Sequence, residues 1–434
     1  MLYFNKITVI RNLFIVLVCC VFLSCGGILQ NKTFPRKTTT WVTVHGNSHN
    51  SDFLPVEGPK NIRLKWSKKL DGVINLGATN DLNGRVYITS TSEDCHLYAL
   101  DASTGETFWC TDIVNEYAVA SSVLVDLEGH LFIADDKAMH AFNEAGHLLW
   151  RSPIIGFPLS AQFTKEGSII FITHIGVIYV MDRKSGKNVL NPYFMNQDTV
   201  IKFESDPTAC MRGTKDCPSA NTLAIHQPSG KFFFTYWRPN TPQASIIAMQ
   251  YSEKPNPTLT HLWENNSLPG GSTTSPVISA DGKKVYVNDN YGSIHALSTH
   301  TGDKIWEYNL GYETGGSQST SPDGYIMPAG GGRSPLTSIK DLGEKPELVW
   351  SDETLNNRGV ATQTKGNLSY PTVSSSTRGR FYNDLLVVDV LTGTVLDREP
   401  LPVKTFFTVG TTVDQDGVIY VASFNGYLFA FEHE

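Results

Sequence analysis

The sequence predicts an all-β chain closed into an eight-bladed β-propeller of four-stranded antiparallel blades. Three observations carry this: one pattern recurs along the chain, its anchors are evenly spaced, and its first and last copies are incomplete in complementary ways. The pattern is clearest at residues 84–109 (GRVYITSTSEDCHLYALDASTGETFW) and 282–306 (GKKVYVNDNYGSIHALSTHTGDKIW), and is shorter at 129–150 (GHLFIADDKAMHAFNEAGHLLW). Weaker copies occupy 167–190, 324–350, 384–396 and 417–432. Each begins at a Gly/Asp/Asn turn and continues through alternating apolar residues, a second turn, a further strand and a Gly-containing turn. Short runs of alternation between such turns mark antiparallel strands.

The anchors make the period countable. Trp66, Trp109, Trp150, Leu190, Trp263, Trp306, Trp350 and Leu396 are separated by 43, 41, 40, 73, 43, 44 and 46 residues. A period just above 40 with four strands per unit is that of a propeller blade. The long step places an insertion at about 191–222. The last unit stops at Phe431 without an outer strand, and the first anchor, Leu64 to Ser67, is an outer strand with no unit before it. The N-terminal strand therefore closes the ring against the C-terminal blade, leaving no open edge. Counting that shared blade gives eight; if the unit near 384–396 is degenerate, seven remain. A length of 434 residues suggests about three domains, but the repeats unite 61–434 in a single body.

Composition agrees. Thirty-six Gly, 22 Pro and 11% aromatic residues suit a turn-rich β protein, and 18% charged against 41% hydrophobic residues excludes a disordered chain. A net charge of −7 excludes general nucleic-acid binding, which needs a basic face.

The N-terminus reads as an export signal. Lys6 and Arg11 precede an apolar run from Leu13 to Leu23. Eleven helical residues rise about 16 Å, short of a bilayer core of about 30 Å, so residues 1–24 are expected to be a signal peptide. The run ends in VFLSC followed by two glycines, which resembles the lipobox of bacterial lipoproteins, although Phe22 stands where Leu is commonest. The resemblance implies cleavage before Cys25, its acylation, and residues 25–60 as a membrane-tethered lead-in. Gly26 replaces the Asp that retains many such proteins at an inner membrane, so an outer-membrane or cell-surface lipoprotein is expected, on the periplasmic or extracellular side. Beyond Cys19, Cys20 and Cys25 there remain four cysteines. An even number after export suggests two disulfides. Three pairings are open, and spacing favours Cys95 with Cys110 and Cys210 with Cys217.

Residues 99–109 (ALDASTGETFW) resemble the AxDxxTGxxxW docking motif of the pyrroloquinoline-quinone-like (PQQ-like) propeller superfamily. Ala296, Thr301, Gly302 and Trp306 repeat it with Ser298 for Asp, and Ala141, Gly146 and Trp150 repeat it one residue shorter. Asp182, Gly186, Asp389 and Gly393 keep the turn without the Trp. Gly105 and Gly302 supply a turn with positive φ. Ala99 and Ala296 are expected to leave room for a neighbouring blade's indole. Trp66, Trp109, Trp150, Trp263, Trp306 and Trp350 would bury area between sheets.

Two branches of that superfamily frame the function. Quinoprotein dehydrogenases hold PQQ and calcium on the ring axis, with an Asp base and a disulfide between adjacent cysteines. Here the adjacent pair, Cys19-Cys20, lies in the signal, and a mature chain of about 410 residues is short for that branch. The other branch is non-catalytic and resembles BamB, a scaffold lipoprotein of outer-membrane barrel assembly. The expectation is a protein- or glycan-binding scaffold with no catalytic residues, cofactor or metal, tethered to the membrane by its lipid. PQQ with calcium belongs only to the alternative of a dehydrogenase, and a propeller-fold polysaccharide lyase is a third reading. HExxH, GxxxxGK[ST] and GxSxG motifs are absent. His45 and His49 (HGNSH) read as a lead-in loop rather than metal ligands.

Blade topology puts the loops leading into inner strands on one face with the turns joining strands two and three. Residues 268–274, 312–319, 288–291, 330–333 and 236–240, and the insertion with Arg212 and Lys215, are thus expected to share a face. Its candidate anchors are Arg212, Tyr236, Trp237, Arg238, Tyr291 and Arg333, since aromatic and Arg side chains dominate interface energetics.

Overall fold

The computed structural model describes residues 40–196, 218–379 and 381–434, and they form eight antiparallel blades around an axis. Cys25, Arg212, Lys215 and the Cys210–Cys217 pair lie outside the described residues. Blades 1 to 6 span 79–111, 124–153, 162–194, 219–269, 277–309 and 319–356. The unit around 384–396 belongs to a complete blade 7 (Thr362 to Pro400), whose second strand breaks at Pro371 into Leu368–Tyr370 and Thr372–Ser374. The ring therefore has eight blades. Blade 8 takes three strands from Thr408–Val413, Ile419–Ser423 and Tyr427–His433, and its outer strand is Ile62–Lys69. Trp66 pairs with Ala430 in that closure.

Each blade presents apolar side chains to both neighbours, so the core is a ring of seams rather than one interior. The docking motif latches several of them. A Cβ on Gly105 would lie 2.7 Å from the Trp66 ring; Gly146 stands in the same relation to Trp109, Gly186 to Trp150, Gly302 to Trp263 and Gly393 to Trp350. All five glycines have positive φ, so both conformation and space require Gly. Each indole N–H also donates to a carbonyl of the next blade: Trp66 to Ala102, Trp109 to Glu144, Trp150 to Arg183, Trp263 to Thr299 and Trp350 to Val390. The alanines differ from expectation. Ala99 and Ala296 pair across strands with Trp109 and Trp306 of their own blades. They make room for their own blade's indole, not a neighbour's.

Blade 3 has no Trp at its anchor, and the following blade has no docking Gly. Seam 3/4 is instead filled by Ile170, Ile172, Ile178 and Val180 against Ile225, Phe232, Phe234 and Ile247, all fully buried.

The lead-in is structural. From Trp41 to Asp52 it follows the ring, bonding in turn at or beside the inner strands of blades 1 to 7. Asn80, Val125, Ile225, Ile278, Thr320 and Gln363 donate backbone N–H groups to the carbonyls of Trp41, Val42, Ser48, His49, Ser51 and Asp52. Thr43 Oγ1 donates to the Ala161 carbonyl at 3.0 Å. Phe53–Glu57 then adds parallel to Thr362–Lys365 in blade 7. Within this plug Asn50 donates to the Leu223 and Pro276 carbonyls and accepts from Gln162. His45 and Asp52 contact at 2.8 Å across the intervening turn, so the HGNSH segment is a folded loop. The plug meets each inner strand near the turn that follows it. That end is the turn face; the opposite end is the loop face.

Candidate functional site

The loop face is assembled as blade topology requires. Asn290 bonds to the carbonyls of Gly270 and Gly271, Asn288 Nδ2 donates to Thr314, Gly315 N–H to Gly330, and Gly330 N–H to Gly359. Segments 236–240, 268–274, 288–291, 312–319 and 330–333 thus form one continuous rim over blades 4 to 7, with the Trp237 ring packed over Gly271.

The individual anchors fare differently. Tyr291 is 73% exposed, and Arg333 is also exposed. Trp237 is half-buried, with its indole N–H donating to Thr241 O at 2.9 Å. Tyr236 is fully buried in seam 3/4, where burial pushes its phenol up to about 12. It is a core residue and not a surface anchor. Arg238 grips Glu264 through two nitrogens and also reaches Ser245. Burial opposes ionisation of Glu264, but hydrogen bonds from Arg238 and Ser245 outweigh it and hold its pKa down. Arg238 therefore braces its own blade.

Sequence reading missed a denser group over blades 7 and 8. Phe406 is 55% exposed and packs 5.3 Å from Phe381 and 4.8 Å from Phe407. The Arg358 guanidinium lies 5.3 Å from the Phe407 ring, donating to Ser374 Oγ at 2.5 Å and Gly332 O at 3.3 Å. Burial lowers its pKa. Arg378 and Lys404 flank Tyr382 at 5.0 and 6.0 Å, and Phe424 is exposed nearby in blade 8's turn. The signal was legible: RGRFY (378–382) and KTFF (404–407) interleave cations and rings in segments that the topology rule also sends to this face. Next round the ring, blade 1 carries exposed Glu93, Asp94, Asp112 and Glu116, beside the Cys95–Cys110 disulfide that ties its turn to its outer strand.

The inner strands carry no carboxylate. They read TN, LV, QF, SA, AIH, VI, ST, TQTK and TVGTTV, with no Asp or Glu. Calcium takes six to eight oxygen ligands, typically including carboxylates. A quinone with calcium therefore does not fit this lining, and no step is derived through either. The disulfide also joins residues 15 apart in sequence rather than adjacent ones. Among the described residues one triad of metal-ligating atoms converges: Asp126, Glu128 and His130. Arg183 already bonds Asp126 at 2.5 Å and approaches Glu128 at 3.5 Å, so this is an ion-pair network.

A family profile described as "Outer membrane protein assembly factor BamB" matches residues 63–191, 93–322 and 256–434. The chain belongs to this family. The BamB-type chain is 28% identical over 403 residues to Protein Rv3035 of Mycobacterium tuberculosis, across 90% of this chain and 95% of that one. Among solved structures it is similar to BamB from Moraxella catarrhalis, with a TM-score of 0.59 and 14% identity over 86% of this chain and 99% of that one. It is also similar to quinohemoprotein alcohol dehydrogenase from Comamonas testosteroni, with a TM-score of 0.65 and 16% identity over 91% and 81%. At these identities both likenesses show the fold alone. A scaffold and an oxidoreductase share it, so function rests on the site.

Proposed function

We propose that this BamB-type propeller is an exported, lipid-anchored, non-catalytic scaffold that holds a partner protein on its loop face. The observation that carries the reading is a contrast. The inner strands carry no carboxylate and are bonded by the lead-in, while blades 7 and 8 expose Phe381, Phe406 and Phe424 beside Arg358 and Lys404. Aromatic rings beside Arg are the composition of interface hot spots, and an exposed group of this kind marks an interaction surface. Cys25 would tether the ring to the membrane, with the lead-in as the connection.

The test places a photo-crosslinking residue at Phe406 in the native lipidated protein. A reproducible protein adduct, reduced at least tenfold by Arg358→Ala in the same group, is expected. The reading is overturned if purified protein given PQQ and calcium develops a stable quinone absorbance and oxidises an alcohol or sugar. Release of unsaturated products from a polysaccharide would overturn it in favour of a lyase.

A further inference from the structure

On the turn face, blades 5 and 6 part to leave a polar cleft of about 250 Å³. Its origin is a local exchange of residues. In blades 1 and 8 the tyrosine of the second strand donates to an Asp in its own blade's first turn, Tyr87 to Asp81 at 2.8 Å and Tyr420 to Asp414 at 2.7 Å. Blades 5 and 6 carry Ser279 and Ser321 at that turn. Tyr286 reaches across the seam instead, donating to Asp341 of blade 6 at 2.5 Å. The two smaller side chains leave space, and Gly343 on the wall has nothing within 4 Å of where a Cβ would stand.

The polar atoms of this cleft are unequally committed. Lys284 Nζ contacts both Asp341 oxygens at 2.7 Å and the Gly343 carbonyl at 2.5 Å, which occupies its three protons. It has none left for an anion. Thr320 lines the cleft and is 4% exposed, but its hydroxyl oxygen is itself enclosed and, among the described residues, without a partner, so it does not open onto the free space. Ser321 Oγ accepts from Tyr325 N–H at 3.1 Å and keeps its own proton to give. The Tyr286 oxygen retains a lone pair. Asp281 and Asp323 stand exposed at the rim, and Pro322 offers a flat apolar surface. Two residues back from Thr320, both amide atoms of the fully buried Gln318 lack partners. The corresponding residues before the other plug-bonded strands are Ala78, Val123, Leu223, Pro276 and Ala361.

We infer that this cleft is a binding subsite for one ring of a neutral polyhydroxyl ligand, a pyranose sugar. Acceptors outnumber donors, which suits a ligand that brings several O–H donors of its own, and the rim carboxylates disfavour an acid. The volume lies below the roughly 300–1,000 Å³ of drug-sized sites, so it takes one ring rather than a chain. A divalent cation is the poorer occupant: among the described residues the three cleft carboxylates do not converge within 4.8 Å.

Saturation-transfer NMR on the purified full chain, with glucose, N-acetylglucosamine and glucuronate as probes, decides the matter. Transfer to at least one neutral sugar is expected, with glucuronate at least fivefold weaker at low salt. Ser321→Ala removes the uncommitted donor and should weaken the neutral sugar at least fivefold; Thr320→Val, whose hydroxyl is enclosed, should weaken it by less. No transfer to either neutral sugar, equal binding by wild type and Ser321→Ala, or glucuronate binding as well as glucose would each overturn the assignment. The cleft lies on the face opposite Phe406, so the crosslink yield there should be unchanged by Ser321→Ala, and either reading can fail without the other.

Discussion

Seams 3/4 and 5/6 solve the same packing problem with opposite materials. Seam 3/4 has neither indole nor docking glycine and is closed by branched aliphatics and Phe232, Phe234 and Tyr236. Seam 5/6 has its indole, but Trp306 donates to the Asp341 carboxylate at 3.2 Å rather than to a backbone carbonyl. Asp341 collects Lys284, Tyr286, Trp306 and the Gly343 N–H. Its apolar cluster is correspondingly smaller, with Tyr286, Ile294, Trp306, Ile326 and Ile339 among its members. A seam held by volume tolerates no space within it. A seam held by one satisfied carboxylate can leave a cleft beside it.

Mutations at the two seams should therefore behave differently. The largest loss is expected for Phe234→Ala, about 3–5 kcal/mol in urea unfolding, because the well-packed seam cannot collapse around the cavity. A loss below about 1 kcal/mol would show that seam 3/4 is loosely filled. Asp341→Ala should cost about 3 kcal/mol by leaving Lys284 without its carboxylate. The double variant Lys284→Met/Asp341→Leu should recover most of that loss, whereas no volume-changing second substitution is expected to rescue Phe234→Ala.

Gln318→Leu tests the comparison from the other side. Burying an unpartnered amide costs on the order of 1–3 kcal/mol, so the apolar replacement should stabilise by about 1 kcal/mol, turning seam 5/6 toward the composition of seam 3/4. A clear destabilisation would mean the amide is satisfied by bound water.

The smallest effect is on pH dependence. His174 at the loop end of seam 3/4 and His49 in the plug are both held near a pKa of about 4, chiefly by burial. Between about 6.5 and 4 the unfolded chain takes up these protons and the folded chain does not, so stability falls as pH falls through that window and is flat above it. His174→Gln should flatten part of the slope in Tm against pH. An unchanged slope would assign it to other groups.

What was legible in the sequence were features that only one residue type can satisfy. A glycine at positive φ beneath an indole leaves a fixed spacing, and an unpartnered Trp66 strand announces the closure. What was hidden depends on partners far along the chain. Tyr236 and Trp237 are neighbours in a strand whose alternation sends one into seam 3/4 and the other, half-buried, against seam 4/5. Arg238 looked available because Glu264 lies 26 residues away. The plug left no periodic trace, because six of its bonds to the blades accept at backbone carbonyls that any residue could supply. The cleft came from two serines standing where Asp serves elsewhere, an absence that carries meaning only once the blades are superimposed.

The lead-in also has a consequence for the order of synthesis. Residues 41–69 leave the ribosome before any blade exists, yet their partners extend to Gln363 and to Tyr427–His433. The first structured segment to appear is thus among the last to be satisfied. Until the final strand emerges, the plug's carbonyls and the Trp66 strand remain without their native partners, and such exposed edges invite misassembly. A nascent chain stalled after blade 6 would hold most of its seams but neither its closing strand nor its finished axis.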